Sequence, residues 1–407
     1  MTGRGRLGFV RDDGSTGPDA DGKTPPIEGA EVLDDAIASA LLPVRDKRGH
    51  KGAFGKLLVI AGSLDYAGAA LLVCRAAGRA GAGLVTLAVP ESLQPLFAAK
   101  VIEATTMGLP EDDVEEIDPE PALARILDHD HDAIVVGPGL RPGLATAELV
   151  RTLLATGDDA GAAPIVLDAE ALRSLATLEG WWEGDRRPSV LTPHAGEFAR
   201  LRAGSGRDPD DDGDLAADDA ARATAARDAA TAWRQVVVLK GAKTVIAAPD
   251  GRVAVAPFEN PALASGGTGD VLAGTIGSLL AQHLAPYDAA RLGVYLHGLA
   301  GDTVRDRLGD AGLLASDLPD PIALARKRLA GVAERRKAGG RLGFGVRPPG
   351  SGGSGQPDGP DVPDAPGPLE TRAGAREARE TRATRGDAPE GRQAREIRPV
   401  EPSGGPA

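Results

Sequence analysis

Residues 57–89 read LLVIAGSLDYAGAALLVCRAAGRAGAGLVTLAV. The ends, LLVIA (57–61) and LVTLAV (84–89), are short and nearly all apolar, as strands covered on both faces must be. Between them the Ala-rich run 68–80 reads as a helix. The same alternation continues along the chain. AIVVG (133–137), PIVLD (164–168), SVLT (189–192) and QVVVL (235–239) read as further buried strands, with helices over 143–156 and 217–233. Strands that alternate with helices imply a mostly parallel sheet between helical layers, an α/β/α sandwich in three layers. TVIAA (244–248) and RVAVA (252–256), split by Pro249-Asp250-Gly251, predict a hairpin. Two long Ala/Leu-rich helices follow, from about Gly269 and Pro286.

This block spans residues 31–337. The flanks read differently. Residues 1–30 are rich in Gly, Asp, Pro and Arg without periodicity, and 338–407 carry PPGSGGSGQPDGPDVPDAPGP and an Arg/Glu/Ala run. Both are expected to be disordered, because they offer few apolar side chains to offset an ordering entropy of about 1–2 kcal/mol per residue. Gly (55) and Pro (32) make up about a fifth of the 407 residues, and much of that excess sits there. The acidic insert RDPDDDGDLAADD (207–219) reads as a solvated loop. Its contiguous aspartates, with Asp219 where a calcium loop needs Glu, fit that motif poorly.

The formal net charge of −13 argues against a nucleic-acid partner. One cysteine, Cys74, excludes an intrachain disulfide and a cysteine-rich zinc site. No apolar run approaches the about 20 residues that span a bilayer, and no secretory signal is visible. A cytoplasmic protein with no membrane partner is expected.

The strongest chemical signal is NPALASGGTGD (260–270), leading straight into VLAGTIGSLLAQ. Glycines at the start of a helix leave backbone N–H groups unshielded, and the helix dipole favours an anion there. Asp270, in the first turn, reads either as an ordinary capping acid or as a base beside a bound phosphate. An N-cap alone would not need the adjoining glycines.

Three further clusters follow predicted strands, where ligands of open α/β sheets bind. Lys240-Gly241-Ala242-Lys243-Thr244 holds two of only nine lysines, and reads as a phosphate loop or as exposed hairpin lysines. Thr192-Pro193-His194-Ala195-Gly196-Glu197 carries a histidine that is either structural or part of a site. Val136-Gly137-Pro138-Gly139-Leu140 allows close ligand approach or is a plain turn, and the same holds for Gly62-Ser63 and Ala67-Gly68-Ala69-Ala70. Other motifs fail. Gly49 to Lys56 has P-loop spacing one residue too long, and Gly78 to Gly83 precedes a strand rather than following one. DHDHD (128–132) reads as a polar turn more readily than as a metal tract.

Taken in order, His50-Lys51-Gly52-x-x-Gly55, Ala61-Gly62-Ser63, Gly68-Ala69-Ala70, Arg79-Ala80-Gly81-Ala82-Gly83-Leu84, Gly137-Pro138-Gly139-Leu140, Leu167-Asp168-Ala169, Leu191-Thr192-Pro193-His194-x-Gly196-Glu197, Leu239-Lys240-Gly241 and Gly266-Gly267-Thr268-Gly269-Asp270 resemble the ADP/ATP-dependent NAD(P)H-hydrate dehydratases, within the ribokinase-like superfamily. The likeness covers nearly all of 31–337. The terminal Gly-x-Gly-Asp is shared across the superfamily, whereas its combination with Thr-Pro-His-x-Gly-Glu and His-Lys-Gly is specific.

The resemblance implies a ribokinase-like fold. It also implies repair of the S-form of NADHX and NADPHX by ADP, giving AMP and phosphate. Asp270 would be the catalytic base. Gly266, Gly267, Thr268 and Gly269 would hold the transferring phosphoryl group, and Lys240, Gly241, Ala242, Lys243 and Thr244 the nucleotide. Ala69, Gly139, His194 and Asp270 would line the hydrated-cofactor pocket, and Glu197 would orient a hydrated Mg²⁺. A homo-oligomer, in the family often a tetramer, is implied. Residues 1–45 are too short for the epimerase domain often fused ahead of this module, so a separate epimerase is the expected pathway partner. Two departures stand out: Ala195 replaces a usual proline, and Glu170 stands where Asp is frequent. A ribokinase-like kinase acting on a vitamin precursor or sugar, and a non-catalytic nucleotide-binding regulator, are the alternatives.

Overall fold

The computed structural model describes residues 29–341, apart from 114, 157–161, 185, 209–214 and 216–217. Residues 1–28 and 342–407 of the two flanks, and most of the acidic insert, lie outside the described residues. The elements, in chain order, are β1 (Ala30–Val32), α1 (Asp35–Ala40), β2 (Lys56–Ile60), α2 (Ala67–Ala80), β3 (Leu84–Pro90), α3 (Gln94–Ala98), β4 (Thr105–Leu109), β5 (Glu111–Asp113), β6 (Glu116–Ile117), α4 (Pro119–Asp128), β7 (Ala133–Val136), α5 (Leu144–Ala155), β8 (Ile165–Leu167), α6 (Glu170–Ala176), β9 (Ser189–Leu191), α7 (Ala195–Gly204), α8 (Asp219–Trp233), β10 (Val236–Leu239), β11 (Val245–Ala247), β12 (Val253–Val255), α9 (Thr268–Ala281), α10 (Pro286–Leu308) and α11 (Pro319–Arg341). Among the described residues β1 begins at Ala30, the last position of the segment expected to be disordered, and α11 runs past residue 337.

Ten strands form one sheet in the order β1-β12-β11-β10-β9-β8-β7-β2-β3-β4, and β5 and β6 form a separate hairpin. Every pairing in the large sheet is parallel except those of β11, which runs antiparallel to β10 and β12. The period-two alternation of strand side chains divides the core. Leu57 and Val59 of β2 join one cluster with residues of α2, α9, α10 and α11. Leu58 and Ile60 join the other with α4, α5, α6, α7 and α8. Both faces are therefore apolar and helix-covered, which is why the strand sequences lack polar alternation.

The helices start and stop where the sequence permits. α2 ends at Gly81, whose φ of 109° is open to glycine, with its amide bonded to the Ala77 and Gly78 carbonyls. The Asp218 side chain caps the Ala220 and Ala221 amides of α8. α9 lies against α2 closely enough that a Cβ on Gly274 would sit 2.4 Å from the Val73 carbonyl oxygen. Helix propensity favours Ala over Gly by about 1 kcal/mol, but here backbone would have to move. Gly274→Ala is expected to cost about 3 kcal/mol in urea unfolding, the upper end of ordinary overpacking. A neutral or stabilising result would contradict this packing.

The strand order reverses between β7 and β2. The loops there close on each other, with the Gly62 amide donating to the Pro138 carbonyl at 2.9 Å. The open space lies beside them, beyond the carboxyl ends of β8, β9 and β10 and under the N-terminus of α9.

Candidate active site

A cavity of about 840 Å³ occupies that space. Its wall takes Asp168 and Ala169 from the end of β8, His194 from the end of β9, and Lys240, Gly241, Ala242 and Thr244 from the end of β10. Gly267, Thr268, Gly269 and Asp270 close it from α9, and Val294, His297 and Gly298 from α10. A parallel bridge between His194 and Lys240, with the Lys240 amide on the Pro193 carbonyl at 2.9 Å, binds the β9 and β10 loops together.

The glycine turn is built to leave amides free. Gly267 is the N-cap of α9 with φ 89°, and a Cβ there would meet Leu72 Cδ1 at 2.8 Å, so the position demands glycine. The Thr268 amide is held by the Ser265 carbonyl at 3.4 Å, and the Val271 amide by that of Gly267 at 3.2 Å. Among the described residues the amides of Gly266, Gly267, Gly269 and Asp270 find no acceptor. Free N–H groups at the positive end of a helix dipole suit a phosphoryl group.

Charge is concentrated beside this turn. Asp168, nearly fully buried, accepts through Oδ1 from the Thr192 hydroxyl at 2.7 Å and from Lys240 Nζ at 2.9 Å. Lys240 Nζ also lies 3.8 Å from Glu197 Oε2, and would be 3.4 Å from a Cβ on Gly269. Burial works against the Lys240 charge, but Asp168, Glu197 and Asp270 outweigh it and hold its pKa above the ordinary value. Asp270 is pushed up to about 7, first by burial and then by the Asp168 carboxylate, with Lys240 opposing. A carboxyl poised near neutral pH can take and release a proton there.

The remaining expected residues separate. Lys243 does not enter the cavity wall. At φ 51° its Nζ turns back to Glu259 Oε1 at 2.7 Å and Asp219 Oδ2 at 3.1 Å. Gly266 is exposed beside the wall. Ala69, in the first turn of α2, and Gly139, in the loop after β7, sit together, a Cβ on Gly139 being 2.9 Å from Ala69 Cβ, and neither lines this cavity. His194 is both structural and at the cavity. Its Nδ1 accepts from the Gly196 and Glu197 amides at 3.0 and 3.3 Å as the N-cap of α7, which leaves Nε2 to carry its proton.

Glu197 completes that capping box and does not fit the magnesium role. It is buried outside the cavity wall, and Oε2 already accepts from the His194 amide at 3.0 Å. Oε1 lies 3.5 Å from His194 Nε2. Among the described residues no group of three or more His, Cys, Asp or Glu could hold a metal ion, DHDHD included. There Lys56 instead pairs with Asp130, and its amide with Asp132 at 2.8 Å.

The sequence marks Asp168 and Ala169 as part of a motif without giving either a role, and does not mark His297. Ala169 holds φ 51° and ψ −116°, a conformation costing about 1–3 kcal/mol in a residue with a side chain. No local signal marks that conformation. His297 lies in the apolar helical run YLHGLAGD, where a lone histidine reads as core.

A mostly parallel sheet between helical layers in this strand order is the ribokinase-like fold. A ribokinase-like superfamily protein from Enterococcus faecalis shares it, with a TM-score of 0.62 at 24% identity over 76% of this chain and 99% of that one. The family model for NAD(P)H-hydrate dehydratase matches residues 57–323, and the chain belongs to that family. The ADP-dependent (S)-NAD(P)H-hydrate dehydratase of Xanthomonas campestris is 37% identical over 70% of this chain and 93% of its own length. A Bacillus subtilis ADP/ATP-dependent NAD(P)H-hydrate dehydratase, crystallised with ATP and Mg²⁺, superposes with a TM-score of 0.62 at 34% identity, covering 74% of this chain and 99% of that one. The bifunctional NAD(P)H-hydrate repair enzyme Nnr of Moorella thermoacetica is 40% identical over 76% of this chain. The chain spans only about half the length of such bifunctional relatives, 56% in that case.

Proposed function

We propose that the chain dehydrates the S-form of NADHX and NADPHX at the expense of ADP, restoring NAD(P)H and releasing AMP and phosphate. The observation that carries this is the pairing of free amides at Gly266, Gly267, Gly269 and Asp270 with the Asp270 carboxyl. Hydroxide is a poor leaving group and phosphate a good one. Asp270 takes the proton from the substrate hydroxyl as its oxygen attacks the terminal phosphorus of ADP, and AMP departs. The carbon–oxygen bond then breaks as the ring nitrogen's lone pair expels phosphate with the former hydroxyl oxygen, and loss of a proton to solvent from the neighbouring ring carbon re-forms the ring double bond, returns the electron pair to nitrogen and restores the reduced nicotinamide. The free amides hold the transferring phosphoryl group, and Lys240 Nζ lies beside Gly269. Such transfer is mainly positioning and charge stabilisation.

Magnesium enters only as the nucleotide's own counter-ion, since it keeps several waters and needs few carboxylates, and no step is assigned to it. A separate epimerase as pathway partner, a homo-oligomeric assembly and a cytoplasmic location complete the proposal. No helix among the described residues is long and apolar enough to cross a membrane.

The test is incubation of purified protein with NADHX, with ADP and ATP in parallel. Return of the near-ultraviolet absorbance of reduced nicotinamide, with AMP from ADP, is the expected result. Phosphorylation of a vitamin precursor or sugar without that return identifies a kinase and overturns the proposal. The Asp270 pKa adds a pH signature. The base must be ionised, so kcat/KM falls about tenfold per pH unit below about 7 and levels off above it. A flat profile between pH about 5 and 8 would contradict Asp270 as base.

A further inference from the structure

His297 is a buried group in the cavity wall that the reaction above does not use. It stands in the middle of α10, and its Nε2 lies 3.0 Å from the carbonyl oxygen of Thr268, the first residue of α9. A carbonyl can only accept, so Nε2 is the protonated nitrogen. Burial is the main cause holding the imidazole neutral, with its pKa lowered to about 4; Lys240 adds to this and the Thr268 carbonyl opposes it.

The peptide between Thr268 and Gly269 is planar and trans, so its C=O and N–H point in opposite directions. Fixing the carbonyl fixes the Gly269 amide, one of the free donors of the cradle. The Thr268 hydroxyl clamps the same turn from below, donating to the Leu263 and Ser265 carbonyls at 2.8 and 2.9 Å. We propose that His297 is a positioning residue for the phosphoryl cradle: its Nε2–H holds the Thr268 carbonyl so that the Gly269 N–H stays aimed at the anion. This rests on the reading that the cradle binds the transferring phosphoryl group. The role needs a hydrogen-bond donor and no charge, which a neutral imidazole supplies.

The experiment compares His297→Leu, which removes the donor, with His297→Gln, which keeps an N–H near the same place. Removing an oxyanion-hole donor outright costs about 10²–10³-fold in kcat, and loosening one should cost less, about tenfold or more. We expect His297→Leu to lose that much in kcat with KM for NADHX unchanged, and His297→Gln to recover most of it. Wild-type kcat in a stably folded His297→Leu overturns the proposal. So does a His297→Gln variant of equal stability that is as slow as His297→Leu, since the ring's volume would then be what matters.

If wild type repairs no NADHX, the dehydratase reading falls separately, and affinities for ADP and adenosine decide instead. Weaker ADP binding in His297→Leu, with adenosine unchanged, supports the role; equal ADP affinity overturns it. Should His297→Leu fail to fold, nitrogen NMR of the wild-type imidazole tests the hydrogen bond directly. A neutral ring protonated on Nε2 at neutral pH is expected, and protonation on Nδ1 would overturn the proposal.

Discussion

Asp270→Asn lowers kcat for repair roughly a thousandfold, within the about 10²–10⁴-fold range of a lost general base, and leaves ADP binding intact or slightly tighter. The amide keeps the shape and the first-turn position of the carboxyl but cannot take a proton. Asp270 Oδ2 lies over the turn, 3.7 Å from where a Gly267 Cβ would stand, so the base and the cradle face one space. Binding should survive because the amides of Gly266, Gly267 and Gly269 are untouched and one negative charge near the phosphates is gone. Turnover and calorimetric ADP affinity measured on the same preparation check both halves. A variant within tenfold of wild type would remove Asp270 from the base role.

Lys240→Met produces the second large effect, on stability as well as binding. It leaves Asp168 buried without its cation, beside Glu197. Breaking a buried pair costs about 3–5 kcal/mol, and the lower end, about 3, applies because the Lys240 side chain keeps 21% exposure. With Lys240 gone, nothing opposes burial and Asp168 at Asp270, so the acid limb of the activity profile moves above pH about 7. Pairing the change with Asp168→Asn removes the stranded charge. Urea unfolding should then recover most of the loss, while ADP affinity stays low because the cation is still missing. A single variant costing under about 1 kcal/mol, the range of an exposed pair, would show that Lys240 and Asp168 are not coupled as the geometry has them.

The layered architecture was legible because buried parallel strands are nearly pure apolar runs. LLVIA, LVTLAV, AIVVG and QVVVL coincide with β2, β3, β7 and β10 to within a residue or so. The edges were not. β4, TTMGL, pairs only with β3 and leaves its first threonine exposed, so it lacks the apolar run that marked the others. β1 is three residues, AEV, held by pairing with β12 rather than by its own composition. α11 went unmarked because its long Arg- and Ala-rich run shows only a narrow apolar side, Ile322, Ala325 and Leu329, to the core.

The site was legible to the same degree. A glycine turn before a helix announces free amides, and Asp270 follows it directly. What no local pattern shows is which partners tertiary contact supplies. Lys240 and Lys243 look alike in sequence, yet one meets Asp168 in the cavity and the other is drawn off by Asp219 and Glu259. Glu197 has a magnesium role only by the resemblance, and its carboxylate is instead taken up by the helix cap.

Following the substrate oxygen tests the central claim most directly. NADHX carrying a heavy-oxygen label in its hydroxyl group is turned over with ADP, and the products are analysed by mass spectrometry. If a hydroxyl deprotonated by Asp270 attacks phosphorus and departs as phosphate, the label appears in inorganic phosphate. Label released into water would mean that the carbon–oxygen bond breaks without phosphoryl transfer, and would contradict the account.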